Sequence, residues 1–154
     1  MREKLPVVTL INIVFFVMII YVLGYSIEYK PLIGPLFILL GFLTLTPLWA
    51  GENFHLRSSL SDILFGVIDN GIFVIAALIG ADLAGILGAI VGGAVGNAIS
   101  DAVGGICEGE FARWMKGRGI PQERTALQSS LGKLAGCLFG AGSVLLVVWT
   151  FFGF

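Results

Sequence analysis

The fold is decided by residues 59–107, which read SLSDILFGVIDNGIFVIAALIGADLAGILGAIVGGAVGNAISDAVGGIC. Two apolar stretches, 59–80 and 83–107, are separated by a very short break. Each stretch exceeds the about 20 residues that a helix needs to cross a membrane. A break near residues 80–82 leaves room only for a tight antiparallel hairpin. The sequence therefore predicts two membrane spans that pack against each other.

The rest of the chain continues this pattern. Hydrophobic residues make up 57% of the 154 residues and charged residues 12%, and the mean hydropathy is +0.99. This composition lies outside the range of soluble globular domains. Further apolar windows cover residues 5–25, 31–50 and 127–152. We predict an all-α polytopic membrane protein with five transmembrane helices, in which residues 1–57 form two scaffold helices and residues 58–154 form a three-helix core.

The distribution of basic residues predicts the orientation. With five spans, seven basic residues fall on one side: Arg2, Lys4, Arg57, Arg113, Lys116, Arg118 and Arg124. Lys30 falls on the other side, and Lys133 lies inside the fifth span. Basic residues concentrate in cytoplasmic loops, which favours an N-inside, C-outside chain. The N-terminal segment lacks a cleavage site and the character of a transit peptide, which favours direct insertion into the plasma membrane of a bacterium or archaeon.

Several functions are not expected from this composition. The net charge of −1 offers no basic surface for nucleic acid, so the expected environment is membrane lipid. Cys107 and Cys137 lie in different predicted spans, which indicates neither a disulfide framework nor a soft-metal site. No hydrolytic triad, phosphate-binding loop or haem site is recognisable. We expect neither an enzyme nor a bound cofactor.

The candidate functional residues are polar side chains inside the apolar stretches. They are Asp69, Asn70, Asn97, Ser100 and Asp101. A carboxylate in the middle of a membrane helix costs about 2.5 to 3.5 kcal/mol on insertion scales. We therefore expect each one to have a function or a pairing residue. Asn97 and Asp101 are four positions apart and therefore share a helix face. Together the set offers only oxygen ligands, which Ca²⁺ and other hard cations prefer. The set predicts an intramembrane cation site, with Ca²⁺ and Na⁺ as transported ligands.

A structural reading of the same residues stays open. With the turn at 80–82, Asp62 and Asp101 both lie about 28 Å from it along their helices. Lys133 is predicted at the same depth, as a counter-charge to Asp62 or Asp101 in a buried ion pair. Asn70 and Asn97 could then serve as hydrogen-bonding groups between helices.

Glycine recurs every four residues in the last two predicted spans. The positions are Gly88, Gly92 and Gly96 in one span and Gly132, Gly136 and Gly140 in the other. Small residues at this spacing let membrane helices approach closely. We predict that these glycines pack helices together.

These motifs resemble the transmembrane protein 65 family. The pieces are FGVIDN at 65–70, LG at 87–88, GNAISD at 96–101 and LGK at 131–133, within a match over about residues 62–152. The resemblance implies sodium-dependent calcium transport. It places Asp69, Asn70, Asn97, Ser100, Asp101 and Lys133 at the family's motif positions. Residues before 62 lie outside the resemblance.

The expected function is the exchange of Ca²⁺ for Na⁺ across the membrane. The alternatives are a proton-coupled divalent-cation transporter and a non-transporting assembly or scaffold protein. Three motif-bearing helices are too few to enclose a pathway, so we expect an oligomer. The strong charge bias disfavours dual topology and favours a parallel homodimer.

Overall fold

The described part of the chain is predominantly helical, with a loop at residues 118–125. The computed structural model describes residues 5–26, 28–49 and 56–152, and these ranges contain no strand. The helices are α1 (Leu5–Ser26), α2 (Lys30–Trp49), α3 (Leu60–Gly117) and α4 (Ala126–Phe151), with a 3₁₀ turn at Leu56–Ser59 leading into α3. The all-α prediction is confirmed. Arg2 and Lys4, which contribute to the predicted orientation, lie outside the described residues.

Three helical segments are long and apolar enough to cross a membrane. They are Lys30–Leu48, Leu56–Gly117 and Ala126–Phe151. In α1 the described apolar stretch is shorter, Leu10–Val22. These lengths fit a membrane-embedded protein, because a span needs about 20 apolar residues.

The long helix α3 is broken in its middle and folds back on itself. Ala84 has φ −146° and ψ 26°, and Gly85 has φ 59° and ψ −138°, a conformation that favours glycine. We call residues 60–83 the first arm and residues 86–117 the second arm. The backbones of Gly80 and Gly88 are in such close contact that a Cβ on either would collide with the carbonyl of the other.

The predicted hairpin therefore forms, but its turn is displaced. The sequence placed the turn at residues 80–82, whereas the break lies at Ala84 and Gly85. Gly80 lies in the first arm and not in the turn. Its missing side chain allows the two arms to touch. Gly85 supplies the positive φ that reverses the chain.

Helix α4 lies between α2 and α3. On one side Gly136 packs against the backbone of Ile63 in the first arm. On another side Gly142 packs against Gly34 of α2. Leu131 and Ala135 join Leu45 and Leu48 in a buried apolar cluster. Because α4 contacts α2 as well as α3, the segments predicted as scaffold and core share one interior.

Candidate functional site

One hydrogen bond between the arms of α3 joins two of the predicted site residues. The Ser100 hydroxyl donates to Oδ1 of Asp69 at 2.5 Å. Ser100 is 0% exposed and Asp69 9%. Asp69 precedes Ala84 by fifteen positions and Ser100 follows Gly85 by fifteen, so the break sets them level. A buried carboxylate is thereby held across the hairpin by a single hydroxyl.

A second polar pair lies on the outside of the second arm. Asn97 Nδ2 donates to Oδ2 of Asp101 at 3.2 Å. Both side chains are exposed, whereas Ser100, between them in sequence, is buried against the first arm. The structure thus divides the predicted ligands into a buried pair, Asp69 and Ser100, and an exposed pair, Asn97 and Asp101. Asn70 is half-buried next to Asp69 in the first arm.

Asp69 and Asp101 have no cationic partner within the described part of the chain. The ion pairs recorded there involve Asp62, Glu108 and Glu110, and none involves Asp69 or Asp101. Within the same residues, no three His, Cys, Asp or Glu side chains come close enough to hold a metal ion. Ca²⁺ takes six to eight oxygen ligands as a rule. The buried pair of one chain supplies only part of such a set.

Asp62 lies in a separate ion-pair network near the start of the first arm. Its carboxylate is fully buried and meets Arg124 at two points, with Nε 2.5 Å from Oδ2 and Nη2 3.2 Å from Oδ1. The Ser129 hydroxyl also donates to Oδ1, at 2.9 Å. A planar guanidinium matches a carboxylate at two points, which a lysine cannot do. Arg124 is therefore the counter-charge of Asp62.

Lys133, the predicted counter-charge, pairs with a different acid. Its Nζ is 3.6 Å from Glu108 Oε2 and 4.4 Å from the centroid of the Phe65 ring. Arg124 Nη2 also reaches Glu108, at 3.1 Å. Lys133 is predicted from the sequence as the counter-charge of Asp62 or Asp101, but in the structure its ion pair is with Glu108. Asp62 is paired instead with Arg124, whose side chain reaches it from the loop before α4, so depth along the helices does not decide which cation pairs with it.

The Phe65 ring contacts both the second arm and the ion-pair network. Phe65 is one helical turn before Asp69, and its ring also lies against Gly104, where an added Cβ would sit 3.2 Å from it. The Lys133 ammonium also lies over this ring, 4.4 Å from its centroid. Phe65 therefore links the first arm to both Gly104 of the second arm and Lys133 of α4.

The predicted packing glycines all make contacts within the chain. Gly88, Gly92 and Gly96 face Gly80, Ala76 and Phe73 of the first arm. Gly132, Gly136 and Gly140 face residues 59–71, and Gly132 is the loosest of these contacts, with an added Cβ 3.1 Å from that of Asp62. These helix faces are occupied within one chain, so they are not free surfaces for another protein.

Several polar residues of the interior were not predicted from the sequence. Arg124 and Ser129 donate to Asp62, and Arg124 also donates to Glu108. Ser130 donates to Asn12 of α1 at 2.6 Å. A signal was available for Arg124, because a buried aspartate needs a cation and arginine is the usual choice for buried pairs. The Ser130–Asn12 contact joins α4 to α1, and no periodic pattern in the sequence predicts it.

Comparison with known proteins adds no relative. No family model matches the chain, and neither a curated protein nor a solved structure does.

Proposed function

We propose that the chain is a five-span membrane protein that exchanges Ca²⁺ for Na⁺. In this proposal each arm of α3 is a separate span. At 1.5 Å per residue the arms are about 36 Å and about 48 Å long. Both exceed the about 30 Å thickness of the hydrocarbon core. The positive-inside bias supports an N-inside orientation in a bacterial or archaeal plasma membrane.

The observation that carries the proposal is the buried carboxylate of Asp69. It lies within an apolar hairpin, its hydrogen bond comes from Ser100, and no cationic side chain pairs with it in the described residues. An ionisable residue in this setting marks an ion pathway or a proton relay by default. Carboxylate and hydroxyl oxygens suit a hard cation. A transported cation would supply the charge that the chain itself does not.

The choice of ions is supported by the resemblance to the transmembrane protein 65 family. Asp69, Ser100 and Asp101 stand at its motif positions, and sodium-dependent calcium transport is what the resemblance implies. The chemistry of the site is also compatible with proton coupling, since a carboxylate that releases a cation can take up a proton. Proton-coupled transport of a divalent cation is therefore the second candidate function.

An assembly role without transport has less support. It would use the glycine faces of the second arm and α4 as docking surfaces, and those faces pack within the chain. Such a role would also not explain why the chain has a carboxylate at Asp69, where it is costly to insert into a membrane.

The test is calcium flux in proteoliposomes that contain the purified protein. We expect ⁴⁵Ca²⁺ uptake when the lumen holds Na⁺, and no uptake when Na⁺ is replaced by choline or is equal on both sides. Uptake driven by a pH gradient alone would favour proton coupling. Folded, correctly inserted protein that moves no Ca²⁺ under either gradient would contradict the transport proposal.

A further inference from the structure

A buried hydroxyl at the start of the first arm has no hydrogen-bond partner among the described residues. Ser59 is the N-cap residue of α3, and its side chain makes no capping hydrogen bond. The residue is 0% exposed, and its Oγ is unpaired within the described part of the chain. An N-cap serine normally accepts a hydrogen bond from the first turn of its helix. Because a buried polar group without a partner is destabilising, the Ser59 oxygen is a candidate ligand atom.

Ser59 lies beside the Asp62 carboxylate. The two residues are three positions apart and therefore share a face of the helix. A Cβ added at Gly132 of α4 would lie 3.2 Å from the Ser59 Cβ and 3.1 Å from the Asp62 Cβ. From α4, the Ser129 hydroxyl donates to Asp62 Oδ1 at 2.9 Å. Three oxygen-bearing side chains thus share one contact between the first arm and α4.

The two oxygens of the Asp62 carboxylate are used differently. Oδ1 accepts hydrogen bonds from Arg124 Nη2 and from Ser129. Oδ2 is 2.5 Å from Arg124 Nε, yet it accepts no hydrogen bond within the described ranges. A carboxylate oxygen has lone pairs for about two donors or cations. Asp62 Oδ2 and Ser59 Oγ are therefore two buried oxygens with unused capacity.

The two members of the Asp62–Arg124 ion pair differ in their freedom to move. The side chain of Asp62 is 0% exposed, whereas that of Arg124 is 23% exposed and comes from the loop before α4. Arg124 also bonds Glu108, at 3.1 Å, so it keeps an acidic partner when it leaves Asp62. Asp62 cannot follow it to water, and a buried charge without a counter-charge is strongly unfavourable. Another cation must then replace Arg124 at Asp62.

The ligand atoms indicate which cation suits this position. One carboxylate balances one positive charge, and hydroxyl and carboxylate oxygens suit a hard ion. The Ser129 hydroxyl donates to Asp62 and still has lone pairs that can face a cation. An added Cβ would be 3.1 Å from its nearest neighbour at Gly132 but 2.2 Å at Gly136, so α4 and the first arm leave slightly more room beside Asp62. A small monovalent ion fits this description.

We propose that Asp62, Ser59 and Ser129 form a Na⁺ site, at which Na⁺ and Arg124 compete for one carboxylate. Without Na⁺, Arg124 neutralises Asp62, as in the structure; with Na⁺ bound, Arg124 stays on Glu108. Asp62 and Asp69 are seven positions apart, on the same side of the first arm and about 10 Å apart along it. The site is therefore separate from the buried pair. Its position rests on the geometry, whereas the choice of Na⁺ rests on the proposed function.

The site is tested by thermal unfolding of the purified full-length protein in detergent, at constant ionic strength. Every variant carries Asp69→Asn, so that the carboxylate of the proposed transport site is absent. NaCl is titrated against choline chloride, and KCl against choline chloride in parallel. A cation that binds only the folded protein raises the unfolding temperature. We expect a saturable rise with Na⁺, and an equal rise with K⁺ would overturn the assignment to sodium.

Replacing Ser59 tests the site while the Asp62–Arg124 pair stays intact. Ser59→Ala should raise the Na⁺ concentration at the half-maximal shift about tenfold, because one of few oxygen ligands is lost. In choline it should be at least as stable as its parent, because an unpaired buried hydroxyl is removed. The matched control is Ser61→Ala. Ser61 is also fully buried with an Oγ unpaired in the described residues, but it lies about 200° around the helix from Ser59.

Ser61→Ala should leave the half-maximal Na⁺ concentration unchanged. The same value in Ser59→Ala as in its parent, or equal changes in the two variants, would contradict the proposed ligand set.

Removing Arg124 tests the competition. Arg124→Met should lower the half-maximal Na⁺ concentration at least about tenfold, because the carboxylate no longer has to be released first. Asp62→Leu combined with Arg124→Met removes the ligand as well as the competitor, and it should show no sodium-specific shift. A shift as large in the double variant as in Arg124→Met would place the ion elsewhere and overturn the site.

The same measurements separate this inference from the proposed function. Sodium-driven Ca²⁺ flux in the unaltered protein, with no sodium shift that depends on Ser59, would refute the Na⁺ site and leave the proposed function standing. A sodium shift that depends on Ser59, in a protein that moves no Ca²⁺, would refute the proposed function and leave the site standing.

Discussion

Ser100 and Asp69 lie 31 positions apart in the chain, yet the hydroxyl of the first is 2.5 Å from the carboxylate of the second. The contact spans the two arms of α3 and is level because the break at Ala84 and Gly85 falls midway between them. It fixes the arms in register and holds a carboxylate in an apolar interior. Any cation that binds Asp69 must compete with, or share, the Ser100 hydroxyl.

Replacing Asp69 is expected to abolish cation transport without unfolding the protein. Asp69→Asn removes the charge and keeps the size and the acceptor for Ser100. Ser100→Ala removes one hydrogen bond to a charged group between the two arms, and should lower the free energy of unfolding by about 1.5 to 3 kcal/mol. The measurement is Ca²⁺ flux per folded molecule.

The matched control for this prediction is Asp82→Asn. Asp82 is an exposed aspartate near the break in α3, and its replacement should leave flux unchanged. Normal flux in Asp69→Asn would show that Asp69 has a structural role only.

The two basic residues near Asp62 and Glu108 should differ sharply in their effect on stability. Arg124→Met leaves the fully buried Asp62 without its cation, which costs about 3 to 5 kcal/mol for a buried pair. Lys133→Met removes a 3.6 Å pair whose lysine is 42% exposed, and should cost no more than about 1 kcal/mol. The free energy of unfolding in mixed detergent micelles measures both.

A double variant separates the charge effect from lost packing. Asp62→Leu combined with Arg124→Met removes both charges, and it should recover most of the stability lost in Arg124→Met alone. Equal losses in Arg124→Met and Lys133→Met would show that the Arg124–Asp62 pair is not the stronger one.

A single added methyl should distinguish two glycines of the packed helices. Gly136→Ala places a Cβ against the backbone of Ile63, which cannot move aside, so α3 and α4 must separate. Gly71→Ala meets nothing within 4 Å and should be neutral or stabilise its helix by up to about 1 kcal/mol. Thermal unfolding in detergent checks both, and a stable Gly136→Ala variant would contradict the close contact.

The hairpin was predictable from the sequence, but its register was not. Two long apolar stretches with a short break predict helices that fold back, whatever the exact turn residue. Three residues of this stretch are compatible with a turn: Gly80, Asp82 and Gly85. Moving the turn by three residues changes which side of each arm faces the other by most of a helical turn. The predicted turn set Asp62 level with Asp101, whereas the real break sets Asp69 level with Ser100.

The polar contacts depended on details that a helical pattern does not contain. Asn97 and Asp101 were predictable as neighbours, because both are on one helix. The pairing of Arg124 with Asp62 does not follow from positions along the helices, because Arg124 lies in the loop before α4 and its position depends on how that helix begins. A long side chain in a loop can contact a residue at a different depth, so depth along a helix axis does not predict its partner.

The start of α4 offers a final prediction about how Arg124 is positioned. Thr125 is the N-cap: its side chain accepts from the Gln128 backbone at 3.2 Å, and the Gln128 side chain accepts from the Thr125 backbone at 2.8 Å. Thr125→Ala removes the first bond and should lower the unfolding free energy by about 1 kcal/mol. Thr125→Ser keeps the oxygen and should retain most of it. Since Arg124 precedes the cap directly, Thr125→Ala combined with Arg124→Met should cost less than the sum of the two single changes. Strictly additive losses in that cycle would show that the cap and the Arg124–Asp62 pair act independently.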